Sequence, residues 1–467
     1  MIRLFRVFIP ATVVALLFSE IILVLACYSV SSLFTLGTDP LFYLFAEGNY
    51  WKILLVAGCI ILALYFQDLY TDLRVISRIL LTQQISLAVG CALLLMAFLG
   101  YLDPDLLIAR WLMVTGSLAV IVVLPLWRIF YWRCVIVTLR SERVLLLGNS
   151  NILDEVITHL LQRPHFGYSI LGYLSEKPHR DAETAARVSQ IPCLGPIDHL
   201  RKVCEERRPT RIVVGMAERR NRLPVQDLLE LRFGGVIIED AADTYEMAMR
   251  RVSSRSIQPS QLIFSSELGP RAHAIAIQNF YSFVIGIAGL VVFSPFMLIA
   301  ALAVKLSSPG PVFYRQRRVG MNGRTFTLYK VRSMHADAEA RTGAVWAKVG
   351  DPRITPLGRW LRKLRLDELP QLWNVVKGDM AIVGPRPERP EFVDLLSHQI
   401  PYYRQRLAVK PGITGWAQIN HKYGDTQLDA MIKLEYDLYY IKNVAPALDF
   451  YIIFHTLKVM ILSRGAQ

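Results

Sequence analysis

The apolar stretch YSFVIGIAGLVVFSPFMLIAALAV, residues 281–304, decides the topology of this chain. It exceeds the roughly 20 residues with which a helix crosses a bilayer. Its middle holds the pair Ser294 and Pro295, and an internal proline breaks or kinks a helix. We therefore predict a re-entrant helix pair that enters the membrane and returns to the same face, with Ser294 as a local partner for the freed backbone groups. An ordinary proline-kinked spanning helix is the alternative.

Four earlier apolar runs, at about 7–35, 50–67, 79–100 and 107–131, are predicted to be membrane spans. The first is too long for the core of a cleavable signal peptide, so we expect it to be retained. Basic residues flank one side of these runs and acidic residues the other: Arg3, Arg6, Arg74, Arg78, Arg128, Arg133, Arg140 and Arg143 against Asp39, Glu47, Asp103 and Asp105. The positive-inside rule then places both ends of the bundle in the cytoplasm. If the 281–304 helix spanned the membrane, the basic region that follows it would lie outside the cytoplasm. The same rule disfavours this location.

The composition indicates a membrane part joined to soluble parts. The chain has 467 residues, of which 53% are hydrophobic, and this exceeds the usual share in a soluble protein. Its net charge of +14 is compatible with nucleic acid, anionic lipid or a phosphorylated substrate. Because no zinc-finger, basic-zipper or RNA-binding signature accompanies the charge, we predict a membrane surface and an anionic substrate, and no nucleic acid. The six scattered cysteines argue against a disulfide framework or a zinc site.

A change of periodicity at Arg143 marks a middle domain. Strand patterns at 143–148, 169–174, 211–215 and 235–238 alternate with helical patterns at 152–162, 197–206 and 225–231. This rhythm predicts a Rossmann-like α/β domain over residues 141–265. Its first turn, LLLGNSNILDE, has one glycine where a dinucleotide fingerprint needs three, so we predict a structural or regulatory role.

The adjacent carboxylates Asp367 and Glu368, in RLDELPQLWN from Arg365, lie in a strongly basic region. Between Lys305 and Lys410 there are 20 Lys and Arg residues against 9 Asp and Glu residues. Such a region favours a polyanionic ligand. Because neighbouring side chains point in different directions, one acid can face a phosphorus atom while the other holds a metal ion. The pair therefore predicts phosphate chemistry.

Three longer strings surround these acids: SSPGPVFYRQRRVGMNGRTFTLYKVRSMHADAE, DPRITPLGRWLRKLRLDELPQLWNVVKGDMAIVGPRPERPEF and KPGITGWAQINHKY. Together they resemble the bacterial polyprenyl-phosphate glycosyl-1-phosphate transferases, membrane enzymes that begin exopolysaccharide and lipopolysaccharide repeat units. The resemblance covers about residues 275–467, and the four spans and Rossmann-like module resemble the long form of that family. Ala381 stands where many members carry Ser, and Val331 stands where an aromatic residue is common.

The resemblance implies transfer of a sugar 1-phosphate from a UDP-sugar to undecaprenyl phosphate, with release of UMP. By similarity Asp367 would attack the β-phosphorus and form an aspartyl-phosphosugar intermediate, and Glu368 would hold Mg²⁺. Lys330, Arg362 and Arg386 match the positions of the family's phosphate-binding residues, since cations are needed to screen the reacting anions. Supporting roles would fall to Arg332, Arg353 and Arg359.

Local patterns suggest how these groups are held. Pro370 suits the first turn of a helix through Leu372, Trp373 and Val376, which would place both acids at a positive helix end. The GPRPERP turn at 384–390 can hold Arg386 rigidly, whereas the role of the PGITG loop at 411–415 is open. The tail, 428–462, fits helices that lie along the membrane interface with Tyr436, Tyr439 and Tyr440 at headgroup depth, and a soluble helical cap is the alternative.

The predicted architecture is a membrane α-helical bundle (1–140), an α/β Rossmann-like domain (141–265) and an α-rich, membrane-associated catalytic domain (275–467). The protein would reside in the bacterial inner membrane, with the catalytic domain on the cytoplasmic face and in contact with membrane lipid. A homodimer is plausible, and the motifs do not identify the sugar. Two other functions stay open: a glycosyltransferase that moves only the sugar and releases UDP, and a non-catalytic assembly or sensor protein of polysaccharide export.

Overall fold

The computed structural model describes residues 2–4, 7–35, 48–71, 73, 77–136, 142–163, 166–175, 191–216, 222–254, 272–335, 338, 351–421 and 426–461. The chain forms two compact units, Phe8–Thr244 and Tyr245–Gln467, with the first seven residues divided between them. The predicted domain boundary near residue 265 lies outside the described residues.

The first unit begins with apolar helices at the four predicted positions. After the short strands β1 (Ile2–Leu4) and β2 (Val7–Ile9) come α1 (Ala11–Thr35), α2 (Tyr50–Phe66), α3 (Arg78–Leu102) and α4 (Arg110–Phe130), the last extended by a π turn (Tyr131–Ile136). Helices α1, α3 and α4 are long and apolar enough to cross a membrane, and α2 is a shorter apolar helix. Large apolar side chains point outward from them, as Phe34, Tyr101 and Trp111 do. Helices that are apolar on all sides are typical of a membrane bundle.

One buried ion pair joins α1 to α4. Arg128 Nε lies 2.5 Å from Glu20 Oε1, and Arg128 Nη2 lies 3.0 Å from Glu20 Oε2. The Tyr70 hydroxyl donates to Glu20 Oε2 at 2.6 Å, and Arg128 Nη1 donates to the Leu69 carbonyl oxygen at 2.9 Å. Because an unpaired charge in such surroundings is costly, the pair favours one arrangement of the helices.

A parallel α/β region completes the first unit, as predicted. Its elements are β3 (Glu142–Leu147), α5 (Asn151–Gln162), β4 (Tyr168–Leu174), β5 (Cys193–Gly195), α6 (Leu200–Arg207), β6 (Arg211–Val214), α7 (Val225–Phe233), β7 (Ile237–Asp240) and α8 (Ala241–Met249), which runs into the second unit. The strand order is β5-β4-β3-β6-β7, and every pair is parallel.

Both faces of this sheet are covered. On β3, Val144 and Leu146 pack in the cluster that contains residues of α5, whereas Leu145 and Leu147 pack in the cluster that contains residues of α6 and α7. A buried strand covered on both sides is expected where helices connect parallel strands. The order and the two layers are those of a doubly wound sheet; the Rossmann-like assignment itself stays a prediction.

The single glycine of LLLGN has a packing role. Gly148 has φ of +104°, and a Cβ atom built there would lie 2.5 Å from the carbonyl oxygen of Gly215. The backbones that leave β3 and β6 therefore approach too closely for any side chain.

The second unit contains the predicted catalytic region. In chain order its elements are α9 (Ala272–Ser307), β8 (Phe313–Val319), β9 (Thr325–Val331), α10 (Pro356–Lys363), a 3₁₀ turn (Leu366–Glu368), α11 (Gln371–Lys377), β10 (Ala381–Val383), α12 (Pro390–Gln399), a 3₁₀ segment (Tyr403–Ala408), β11 (Gly412–Thr414), α13 (Trp416–Asn420), α14 (Gln427–Lys442) and α15 (Pro446–Ile461). Strands β8 and β9 form an antiparallel hairpin, and β10 pairs with β11 in parallel.

Helix α9 runs through Ser294 and Pro295 as one continuous helix, and not as the predicted pair of helices. Pro295 lacks the N–H that would bond the carbonyl oxygen of Val291, and Ser294 Oγ donates to that oxygen at 2.8 Å. The expected local partner is thus confirmed. Buried residues of α9 fall in two groups, Ala274, Gln278, Ser282 and Gly286 in one arm and Ala300 and Val304 in the other. The apolar residues between the two arms are largely exposed.

The C-terminal helices belong to the interior of the second unit more than we expected. Tyr439 and Tyr440 of α14 are fully buried, and Tyr439 stacks on Trp416. The expectation that these tyrosines lie at headgroup depth is therefore wrong. A polar network joins the tail to α9, since Gln278 Nε2 donates to Asp449 Oδ2 at 2.6 Å and the Tyr440 hydroxyl donates to Asp449 Oδ1 at 2.9 Å.

Candidate active site

Asp367 and Glu368 lie on a short 3₁₀ turn between α10 and α11. Arg365, which precedes the turn, has φ of +54°, a left-handed conformation that reverses the chain direction after α10. Pro370 is the N-cap of α11, so the acids precede the helix on a turn of their own. Pro370 was predicted to lie in the first turn of this helix, and that position is corrected: the helix begins one residue later, at Gln371.

Three cations converge on Glu368. Lys330 Nζ lies 3.0 Å from Glu368 Oε1, and Arg386 Nη2 lies 2.8 Å from the same oxygen. Arg365 Nη1 lies 3.5 Å from Glu368 Oε2. Among the residues that the structure describes, the ion pairs of this site go to Glu368, and none goes to Asp367. Both acids are nevertheless more than nine-tenths buried.

The two carboxyl groups are therefore electrostatically different. Burial raises the pKa of Asp367 to about 6, although the charges of Lys330, Arg362 and Arg386 oppose the rise. Burial acts in the same direction on Glu368, but Lys330, Arg386 and Arg365 outweigh it and hold the pKa of that carboxyl well below its usual range. Glu368 is thus a fixed anion, whereas Asp367 is an ionised carboxylate above about pH 6 to which no cation of the described residues is bound.

The hairpin β8–β9 places Lys330. Lys330 is paired with Tyr314 in the antiparallel register. Because successive side chains of a strand point to opposite faces, the Lys330 side chain lies on the other face of the sheet from Val331. Val331 packs with Ala300 and Val304 of α9 and with Leu361 of α10. Val331 therefore anchors the end of β9, while Lys330 on the opposite face directs its ammonium group toward Glu368.

Two strands, one partly buried arginine and one buried arginine hold the turn that carries Arg386. Strand β10 leads into the turn and pairs with β11 of the PGITG segment, where a Cβ on Gly412 would lie 2.1 Å from the Gly384 nitrogen. Arg318 Nη1 donates to the Pro387 carbonyl oxygen at 2.9 Å, and Arg406 Nη2 donates to the Arg386 carbonyl oxygen at 3.1 Å. PGITG thus supports the turn of Arg386 through its backbone.

The other predicted phosphate-binding residues differ in position. The charge of Arg362 on α10 lowers the pKa of Asp367, so this residue belongs to the site electrostatically. Arg332 is buried and donates to the carbonyl oxygens of Pro309 and Ser308 at 2.7 and 2.8 Å. Arg353 pairs with Asp351 at 2.5 Å, and Arg359 is exposed on α10. Arg332 and Arg353 therefore have structural contacts of their own.

Sequence reasoning missed three residues of the site. Arg365 contacts Glu368 directly, and its position next to the acids in RLDE was a usable signal. Arg406 and Asn374 act on the site through the backbone that carries Arg386 and Lys330. They lie far along the chain from the residues they support, so no local pattern indicated them.

The donor set fits a magnesium ion that a substrate helps to hold. Mg²⁺ is commonly bound by one or two carboxylates together with phosphate oxygens and water. Glu368 supplies such a carboxylate. Among the described residues no group of three or more His, Cys, Asp and Glu converges, so an ion bound by protein side chains alone is not supported. Substrate phosphates would have to complete the coordination.

Comparison with known proteins finds a matching family model and several relatives. The model of the bacterial sugar transferase family matches residues 273–463. The UDP-N-acetylgalactosamine-undecaprenyl-phosphate N-acetylgalactosaminephosphotransferase of Aeromonas hydrophila is 50% identical over 175 residues, which are 38% of this chain and 41% of that protein. The UDP-glucose:undecaprenyl-phosphate glucose-1-phosphate transferase of Xanthomonas campestris pv. campestris is 35% identical over 319 residues, which are 67% of this chain and 65% of that protein.

A third relative is matched over nearly its whole length. An exopolysaccharide production protein of Rhizobium leguminosarum bv. phaseoli is 41% identical over 184 residues, which are 38% of this chain but 92% of that protein. The chain therefore aligns with less than two thirds of the Aeromonas and Xanthomonas proteins and with nearly the whole of the Rhizobium protein.

Proposed function

This chain belongs to the bacterial sugar transferase family, and we propose that it transfers a sugar 1-phosphate from a UDP-sugar to undecaprenyl phosphate and thereby begins a polysaccharide repeat unit. The proposal extends to this chain the reaction for which the Aeromonas and Xanthomonas relatives are named. The products would be UMP and an undecaprenyl diphosphate sugar.

The difference between the two acids carries this proposal. Glu368 is bound by Lys330 and Arg386, while Asp367 is buried beside it without an ion pair among the described residues. A nucleophilic carboxylate must keep its oxygens available, and nearby cations must neutralise the phosphates that approach it. Asp367 meets the first requirement, and the cations around Glu368 meet the second.

In the proposed first step an oxygen of Asp367 attacks the β-phosphorus of the UDP-sugar. A bond forms between the carboxylate and phosphorus, the bond from phosphorus to the bridging oxygen breaks, and UMP leaves. In the second step an oxygen of undecaprenyl phosphate attacks the same phosphorus, and the Asp367 carboxylate departs. Two displacements at crowded anions thus replace one.

The cationic side chains would neutralise the negative charge of the phosphates in both steps. Lys330 and Arg386 can exchange their contact with Glu368 for phosphate oxygens of the donor, and Arg362 adds positive charge beside Asp367. When bound, Mg²⁺ would screen the diphosphate and stabilise the leaving UMP, with Glu368 as its protein ligand.

We also propose that α9 is re-entrant and that the reaction takes place at the cytoplasmic face of the inner membrane. Both arms of α9 pack on the same unit: Gly286 lies against Val375 and Val376, and Val304 packs with Val331. The largely exposed apolar residues between the arms are suited to lipid. A straight spanning helix would carry the two arms toward opposite faces of the bilayer, whereas a bent one returns both to the catalytic region.

Nucleotide release tests the proposed reaction. Membranes containing the chain are incubated with Mg²⁺, undecaprenyl phosphate and UDP-N-acetylgalactosamine, UDP-glucose or UDP-galactose in turn. We expect UMP from at least one donor, and none from membranes that contain the Asp367→Asn variant. Release of UDP would instead support a glycosyltransferase that moves only the sugar. Absence of nucleotide release from every donor would favour the non-catalytic assembly function.

A further inference from the structure

The side chain of Asn374, on α11, is fully buried and uses both ends of its amide on strand β9. Its Oδ1 accepts a hydrogen bond from the backbone N–H of Tyr329 at 3.2 Å. Its Nδ2 donates to the backbone carbonyl oxygen of Thr327 at 2.7 Å. The buried amide thus satisfies the hydrogen-bonding needs of two backbone groups, a role that burial of a helix residue does not by itself require.

These two backbone groups lie on the edge of β9 that faces away from β8. The hairpin has two strands, so this edge of β9 has no neighbouring strand among the described residues. A residue of a parallel neighbour would donate to one carbonyl and accept from the N–H two residues further on. Asn374 makes this pair of bonds with Thr327 and Tyr329, and its amide therefore takes the place of a third strand.

The position of Asn374 connects the two sides of the site. Lys330 follows Tyr329 directly, so the bond to Tyr329 holds the backbone from which the lysine projects. Asn374 itself lies on the helix that follows the acid-bearing turn, with Pro370 between that turn and the helix. One side chain thus joins the strand of Lys330 to the segment of Glu368, whose charged groups are 3.0 Å apart.

We propose that Asn374 is a positioning residue for phosphosugar transfer, which sets the place of Lys330 relative to Asp367 and Glu368. The inference rests on the proposed function, because its effect is read as a rate of nucleotide release. The backbone of Asn374 also accepts from Asp379 N at 3.0 Å, a contact that substitution of the side chain leaves in place. The role therefore belongs to the amide.

A double-mutant cycle tests this role. Asn374→Leu removes both hydrogen bonds, and Lys330→Gln removes the cation that they position. UMP release and transfer of radiolabelled sugar to undecaprenyl phosphate are measured for the wild type, both single variants and the double variant. We expect Asn374→Leu to lower the rate by up to about 100-fold, since small displacements of a reacting group have such effects. In the Lys330→Gln background the same change should cost no more than about twofold.

Val375→Ala provides the matched structural control. Val375 is the next residue of α11 and packs against Gly286 of α9, without a contact to the backbone of β9 among the described hydrogen bonds. The factor by which Val375→Ala lowers the rate should multiply with the factor for Lys330→Gln when the two variants are combined. If the effect of Asn374→Leu multiplied in the same way, Asn374 would be a stabilising residue only, and the inference would be wrong.

A second variant covers the case in which Asn374→Leu does not fold. Asn374→Asp keeps the acceptor for Tyr329 N–H but cannot, when ionised, donate to the carbonyl oxygen of Thr327. We expect a smaller loss of rate that again disappears in the Lys330→Gln background. Wild-type rates for Asn374→Asp would overturn the inference. Failure of the wild type to release UMP would instead overturn the proposed function.

Discussion

Arg406 donates from Nη2 to the backbone carbonyl oxygen of Arg386 at 3.1 Å, so one arginine fixes the backbone of another. Arg386 extends its own side chain to Glu368, whereas Arg406 is buried and pairs with Asp437 at 2.9 Å. The direction of the Arg386 side chain therefore depends on an ion pair that lies outside the site.

Substitution of Arg406 should weaken the enzyme through Arg386. Arg406→Lys keeps the positive charge near Asp437 but loses the planar group that reaches both Asp437 and the Arg386 carbonyl. We expect kcat/KM for the UDP-sugar to fall about tenfold or more, together with a lower Tm, because a well-aligned charged hydrogen bond contributes roughly 1.5–3 kcal/mol. Steady-state kinetics and thermal unfolding in detergent measure the two effects.

Arg404→Lys is the control for that prediction. Arg404 lies two residues away and pairs with Asp394 on the surface, where both side chains are 67% exposed. Exposed ion pairs contribute about 0–1 kcal/mol, so this variant should match the wild type in both measurements. Equal kinetic losses in the two variants would contradict the positioning role of Arg406.

The rate of the first step should depend on the ionisation of Asp367. Burial raises the pKa of this carboxyl to about 6, and under the proposed function only the ionised form attacks phosphorus. The rate should therefore be constant above about pH 7 and fall about tenfold for each pH unit below 6. Because Lys330 lowers the pKa of Asp367, the Lys330→Gln variant should move the midpoint to higher pH.

The acceptor must be left out of that measurement. A phosphate monoester has a second pKa near 6, so undecaprenyl phosphate would titrate in the same range. A single-turnover burst of UMP without acceptor reports on the donor half of the reaction alone. A burst rate that stays constant from pH 8 to pH 5 would show that Asp367 is not the group that titrates.

The ion pair of Glu20 and Arg128 should stabilise the helical bundle. Glu20→Gln leaves a buried arginine without its charged partner, and removal of one member of a buried pair costs about 3–5 kcal/mol. We expect a clear decrease of Tm in detergent. The double variant Glu20→Gln, Arg128→Met should recover part of the loss, because no unpaired charge remains.

Ile22→Ala serves as the comparison for the bundle. Ile22 lies on the same helix and is 65% exposed, so its truncation leaves the interior unchanged. A Tm for Glu20→Gln equal to that of Ile22→Ala would mean that the ion pair contributes nothing measurable.

Pro295→Ala should change the course of α9. Alanine restores an N–H that can bond the carbonyl oxygen of Val291, which now accepts from Ser294 Oγ. We expect a straighter helix, partial exposure of a C-terminal epitope to protease in spheroplasts, and loss of sugar transfer. Leu298→Ala, which truncates an exposed residue between the arms, should keep the epitope protected. Full activity and a protected epitope in Pro295→Ala would contradict the re-entrant proposal.

Much of the candidate site could be predicted because its chemistry requires particular residue types at neighbouring positions. The adjacent acids, Lys330 and Arg386 lie in short motifs, and the structure brings all of them together. Asn374 and Arg406 could not be found in this way, since each acts on a distant backbone segment through tertiary contacts.

The elements of the fold likewise divide into those that a local sequence pattern predicts and those that it does not. Strands β3 and β6 are continuous apolar runs and were predicted, whereas β5 has three residues and no pattern of its own. Tyr439 and Tyr440 were placed at the membrane surface, but they are buried within the unit. Periodicity identifies the apolar side of a helix and does not distinguish a protein neighbour from a lipid neighbour.

The two-armed packing of α9 has a consequence for how the enzyme meets its acceptor. Gly286 in one arm touches the helix that follows the acids, and Val304 in the other packs with the strand of Lys330. An apolar segment seated in lipid would therefore hold Asp367 at one constant height above the acyl chains. The acceptor would then be sampled by lateral diffusion in two dimensions. Under the proposed function, dilution of undecaprenyl phosphate with inert lipid should slow transfer at constant bulk amount, because its mole fraction in the bilayer becomes the relevant concentration.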